Sequence, residues 1–210
     1  ARTGRAVQAL DYPLALLAGA LLALSFPRYG HAVVALVAIV PLLVAVAGWR
    51  GRPGVVRGQS ARRGAALGAV AGLVHYLGTI YWTGAVVETF GGLPGIVAAL
   101  CALALALYMA AYTALACGLT GAVVRRVGLP GLAIAPVAWV AAEFARGHVL
   151  GGFPWIPLGS AVVTLTPVAQ LASLVGVYGV SFFLVTLGTF VALAMMSAGR
   201  RRVVSAASAV

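Results

Sequence analysis

GIVAALCALALALYMAAYTALACGLTGAVV, residues 95–124, holds no charged side chain and closes on Arg125 and Arg126. A bilayer core is crossed by roughly 17–25 apolar residues in a helix, so this run is long enough to span one. Working outward from it, further apolar runs lie near residues 6–24, 32–49, 64–82, 129–144 and 168–197. The expected fold is all-α, a polytopic transmembrane bundle of about six helices in one membrane domain over residues 1–210, with 203–210 as the start of a seventh helix. The runs at 95–124 and 168–197 exceed what the hydrocarbon needs, so they tilt or project beyond it.

Composition agrees. The chain is 63% hydrophobic and 8% charged, where soluble domains carry about 25% charged residues. The net charge of +11 comes entirely from Arg, since the chain has no Lys. These Arg gather in short clusters between apolar runs, and the folded polar face that a nucleic-acid surface needs is absent. Nucleic acid is therefore not an expected partner. Arg2 and Arg5 before the first run resemble a secretory signal, but Asp11 and Pro13 interrupt it and five more runs follow. An uncleaved first span is the better reading.

Charge placement sets the expected topology. Arg2, Arg5, Arg50, Arg52, Arg57, Arg62, Arg63, Arg125, Arg126 and Arg200 to Arg202 fall on one side of a six-span chain, and only Arg28 and Arg146 on the other. By the positive-inside rule both termini are cytoplasmic and the connections near 25–31, 83–94 and 145–166 face outward. Glu88, Glu143, Arg146, His31, His148, Tyr29, Phe90, Phe153 and Trp155 gather in or beside these outward connections. The stretch 151–166, with Pro154 and Pro157, is too broken for a helix across the bilayer; it lies at the interface or dips in where protein shields its backbone. Gly64, Gly68 and Gly72 recur every four residues on one face of the third span, a surface for close approach of another helix.

Candidate chemistry is sparse. Cys101 and Cys117 sit within one apolar run, a setting that suits inert small hydrophobes, and lie about 24 Å apart along a helix, too far to bridge. No Gly-x-Ser-x-Gly elbow is present, and His31, His75 and His148 fall on separate segments without metal-ligand spacing. No catalytic residue, metal or cofactor is expected. Glu143 and Arg146, three apart, share a helix face and can pair, either to clip the helix end or to present Arg146 to a lipid phosphate. His75 and Tyr76 lie inside a span, where an ionisable group is either a functional group or a neutral residue bonded between helices.

Particular strings carry more. Ala135-Pro136-Val137-Ala138-Trp139, through Glu143-Phe144-Ala145-Arg146-Gly147 to Gly152-Phe153-Pro154-Trp155, resembles the membrane-domain signature of the apolipoprotein N-acyltransferases. Leu24-Ser25-Phe26-Pro27 with Tyr29-Gly30, Tyr81-Trp82 with Thr89-Phe90-Gly91-Gly92-Leu93-Pro94-Gly95, and Gly176-Val177-Tyr178-Gly179-Val180-Ser181-Phe182 resemble further family strings in the family's order.

The resemblance implies a multi-pass bacterial inner-membrane enzyme working at the outer face. Such enzymes move an acyl chain from a phospholipid to the N-terminal diacylglyceryl-cysteine of a lipoprotein, through a thioester on a Cys assisted by Glu and Lys in a nitrilase-like domain. A chain without Lys does not contain that triad, so this chain alone is expected to be inactive, with the catalytic domain in cis or a separate enzyme in trans as its partner. Phe153 and Trp155 are then expected to line the mouth for the lipid or to anchor at the interface. Arg146, Glu143 and Glu88 are expected as polar groups near headgroups. The alternatives are a non-catalytic scaffold for a separately encoded enzyme such as a polyprenyl-phosphate mannose synthase, and a small transporter.

Overall fold

The computed structural model describes residues 10–207. Arg2, Arg5, residues 6–9 of the first expected span, and residues 208–210 lie outside the described residues. Eight α-helices are described: α1 (Asp11–Leu24), α2 (Val40–Ala47), α3 (Ala61–Ile80), α4 (Trp82–Gly91), α5 (Gly95–Val127), α6 (Ala135–Arg146), α7 (Thr166–Ala169) and α8 (Ala172–Ala207). Short 3-10 segments precede α2 and α6, and among the described residues the only β pairing is an isolated bridge, Trp49 to Val56.

Among the described residues, three helical stretches are long and apolar enough to cross a membrane: Gly95–Val127, Leu129–Arg146 and Ala172–Ser197. Ala61–Ile80 with Trp82–Gly91 makes a fourth if that pair, bent by 50°, is one span. The first two expected spans hold shorter apolar helices, Asp11–Leu24 and Ala32–Ala47. In the second, a 3-10 turn at Ala32–Leu36 comes first and Pro41 sits in the first turn of α2. Every residue of α2 except Pro41 is buried, as befits a helix apolar on all sides and surrounded by others.

The connection expected at 83–94 is largely helical. Tyr81 keeps right-handed helical dihedrals (φ −52°, ψ −28°), so the chain bends there and continues as α4. Gly92, in the left-handed region, ends α4, and Pro94 starts α5. At the other end of the chain, α8 breaks at Gly176 and then runs on through residues 203–207, where a separate seventh helix was expected.

Helix α3 packs most extensively on α5. The glycine face read from the sequence makes this contact. A Cβ on Gly64 would come within 2.6 Å of Cys117 O, and one on Gly68 within 2.6 Å of Thr113 O, so only hydrogen fits.

A buried polar clamp ties the start of α1 to the start of α3 and the connection before it. Asp11, 2% exposed, sits in the first turn of α1. Its carboxylate accepts from Arg50 Nη1 at 3.0 Å, Arg63 Nη2 at 3.1 Å and Gln59 Nε2 at 2.9 Å. Ser60 caps α3 by accepting from Arg63 N, which brings Arg63 into place. A buried carboxylate is tolerable only with such pairing.

Candidate functional site

Helix α6 carries the polar groups around which the following loop is built. Trp139, Glu143 and Arg146 fall on one face by the three- and four-residue spacing of a helix. Trp139 Nε1 donates to Glu143 Oε1 at 2.9 Å. The same oxygen accepts from Leu158 N at 2.8 Å. Glu143 and Arg146 do not form the direct ion pair their spacing allows. The Arg146 guanidinium lies over the Tyr76 ring, 5.2 Å from its centroid, and Nη2 reaches Ile156 O at 3.5 Å. Both side chains are buried, Arg146 to 1% exposure. Among the described residues, Glu143 Oε2, Arg146 Nε and Arg146 Nη1 have no hydrogen-bond partner. Beside them is a cavity of about 10 Å³ among Tyr76, Tyr112, Thr113, Glu143 and Arg146, on the order of the space one water needs.

Further contacts fasten the loop. Phe153 N donates to Arg146 O at 2.9 Å, and Gly159 N donates to the buried Ser181 Oγ of α8 at 2.8 Å. Tyr108 of α5 donates through its hydroxyl to Val149 O at 2.8 Å and itself accepts from Tyr112 OH. The expected break at 151–166 is therefore present as a non-helical stretch and a 3-10 turn at Leu158–Val162, with its backbone polar groups taken up by α6 and α8.

Beneath this loop lies an apolar cavity of about 570 Å³, within the range typical of small-molecule sites. Its lining includes Phe26 and Pro27 after α1, Trp155 and Ile156 of the loop, and Val177 and Val180 of α8. Ser160 is the one polar side chain in the lining. Trp155 is half exposed and stacks on Phe153, with 5.8 Å between centroids and 16° between planes. Trp82 packs against Trp155 at 5.4 Å, and Arg28, next to Pro27 in the chain, lies 4.4 Å from the Tyr81 ring centroid.

The structure thus brings Glu143 and Arg146, on the last turns of α6, together with the loop that carries Phe153 and Trp155. Glu88 stands elsewhere, exposed on α4 with its carboxylate beside Gly95 at the start of α5, where the helix dipole favours a negative charge. His75 and Tyr76 are buried on α3; His75 packs between Phe26 and Tyr76, and its Nδ1 has no hydrogen-bond partner. Cys101 is exposed on α5 and Cys117 is buried.

The family profile described as "Apolipoprotein N-acyltransferase N-terminal domain" matches residues 18–190. The chain belongs to the apolipoprotein N-acyltransferase family. It is 38% identical over 182 residues to the apolipoprotein N-acyltransferase of Geobacter metallireducens, covering 85% of this chain and 32% of that protein. The enzyme of that name from Shewanella oneidensis is 33% identical over 199 residues, 89% of this chain and 35% of the relative. That from Photobacterium profundum is 32% identical over 173 residues, 82% and 31% respectively. The chain spans about a third of the length of these relatives.

Within this N-acyltransferase domain, Ile156, Tyr108, Ser181 and Phe26 belong to the site without having been singled out as site residues from the sequence. Phe26 and Ser181 lie inside family-like strings. Tyr108 and Ile156 carry no local signal, because their roles depend on chain segments distant in sequence.

Proposed function

We propose that this chain is the lipid-holding membrane part of an apolipoprotein N-acyltransferase, receiving a phospholipid acyl chain in the cavity beneath the 152–163 loop. The carrying observation is that cavity: apolar, of acyl-chain chemistry, and edged by the half-exposed Trp155 stacked on Phe153. In this reading Phe153 and Trp155 form the mouth. Glu143 and Arg146 support it from behind, and Glu88 is a separate polar group near headgroups. Arg28 beside Pro27 supplies an exposed cation for a headgroup phosphate.

The protein is multi-pass in the bacterial inner membrane, with six spans, both termini cytoplasmic and the cavity mouth outward. The one-sided Arg distribution supports this. So does the burial of α2, since backbone at membrane depth needs protein around it when a helix is short. The acyl acceptor is the N-terminal cysteine of a lipoprotein. The thioester chemistry comes from a nitrilase-like domain in cis or a separate enzyme in trans, and the 210-residue chain alone transfers no acyl group.

Photocrosslinking tests the cavity assignment. The chain is placed in nanodiscs of phosphatidylethanolamine bearing a diazirine near the acyl terminus, irradiated, and its adducts mapped by mass spectrometry. Adducts are expected to concentrate on Trp155, Ile156, Val163 and Val177. Adducts spread evenly over outer helix faces such as Leu115 and Phe190, without enrichment at the cavity, would overturn the reading.

A further inference from the structure

Ile156 has φ +57°. A β-branched residue in the left-handed region is a genuine outlier, because its Cβ crowds the backbone there. Such residues persist where the surroundings over-determine them, and they concentrate at functional sites.

Here the surroundings are specific. On one side Phe153 N bonds Arg146 O at 2.9 Å. On the other, Leu158 N bonds Glu143 Oε1 at 2.8 Å and Gly159 N bonds Ser181 Oγ at 2.8 Å. Ile156's own carbonyl faces Arg146 Nη2 at 3.5 Å, while Nε and Nη1 of the buried guanidinium have no hydrogen-bond partner among the described residues. Two buried charged residues therefore serve one short loop and are not spent on each other.

The Ile156 side chain is where this arrangement meets the cavity. It lines the 570 Å³ space and also packs against both hydrophobic cores, the larger one and the smaller one around Tyr76, Ile80 and Met109. A left-handed backbone at this point turns that side chain into the wall, and relaxation of φ would swing it away.

We propose that Ile156 is a specificity-determining residue that gauges which acyl chains the cavity accepts, and that Glu143 and Arg146 are positioning residues that hold it there. This rests on the reading that the cavity takes an acyl chain.

The test uses the 210-residue chain in detergent. Phosphatidylethanolamines with 12-, 16- and 18-carbon chains compete against a fluorescent-acyl phosphatidylethanolamine, and thermal unfolding is followed in parallel. Ile156→Gly removes the side chain while accepting the left-handed backbone without strain, which offsets part of the packing that is lost. It is expected to change the ratio of affinities for short and long chains at least threefold while a single cooperative unfolding transition is kept, its midpoint lowered by the packing lost from the two cores. Glu143→Ala is expected to shift the same ratio in the same direction, with Glu143→Gln, which keeps an acceptor oxygen, restoring it.

If Ile156→Gly leaves the ratio within twofold of the starting chain while Trp155→Ala weakens every lipid, this inference fails and the cavity reading stands. If the chain binds none of the lipids, or Trp155→Ala and Val177→Trp change nothing, the cavity reading fails and takes the inference with it.

Discussion

Glu143 Oε1 accepts the backbone N–H of Leu158 at 2.8 Å, across fifteen residues of chain. The bond joins the last turn of α6 to the far end of the loop that walls the cavity. It gives a buried acid a structural task that its place beside Arg146 does not suggest.

Removing this acceptor strands two buried donors, Trp139 Nε1 and Leu158 N. Glu143→Ala should destabilise the chain by about 2–6 kcal/mol, at ~1–3 kcal/mol for each unsatisfied donor. Glu143→Gln should cost less than half as much. Unfolding in detergent, with limited chymotrypsin cleavage at Phe153 and Trp155, reads both effects. Equal stability of the two variants would show that the Leu158 bond is unimportant.

The α3–α5 contact leaves no room for a methyl group. Gly68→Ala would place Cβ 2.6 Å from Thr113 O, a backbone atom that cannot swing aside. The expected loss is ~1–3 kcal/mol, the usual cost of overpacking. Gly91→Ala, whose Cβ would meet nothing closer than 3.9 Å, is the control and should be near neutral. A Gly68→Ala protein as stable as that control would contradict the packing.

Where α1 meets the start of α3, Asp11 is 3% exposed in its side chain, while Arg50 and Arg63 keep 17% and 32%. Solvent reaches the cations, so the coupling should fall between surface and buried pairs. A double-mutant cycle of Asp11→Ala with Arg63→Ala is expected to give about 1 kcal/mol. A coupling indistinguishable from zero at low salt would show that Asp11 is held by Gln59 and Arg50 alone.

Trp155→Ala removes the half-exposed ring that edges the cavity and its stack on Phe153. An aromatic contact of this kind contributes about 0.5–1.5 kcal/mol, so acyl-probe binding should weaken roughly two- to tenfold with little change in stability. Fluorescent-lipid titration measures it.

Topology is open to a labelling experiment. In a chain with Cys101 and Cys117 replaced, His31→Cys should react in intact cells with a membrane-impermeant maleimide. Arg57→Cys should react only after the cells are opened. The reverse pattern would invert the proposed orientation.

Much of the fold is legible in one dimension. Apolar runs of spanning length, Arg clusters between them and glycines every four residues are local properties, and each fixes something about a helix whatever lies beside it. The family strings likewise survive as sequence, and the Pro-broken stretch after Arg146 reads correctly as non-helical. Tertiary structure decided the rest. Whether the chain stops or bends at Tyr81 depends on what α4 packs against. Whether Glu143 spends its carboxylate on Arg146 or on Leu158 depends on where the loop returns. The left-handed turn at Ile156, and a cavity assembled from residues near 26, 155 and 180, exist only once separate helices meet. Periodicity and composition say which residues must be buried, but which partner satisfies a buried polar group is a matter of three-dimensional proximity.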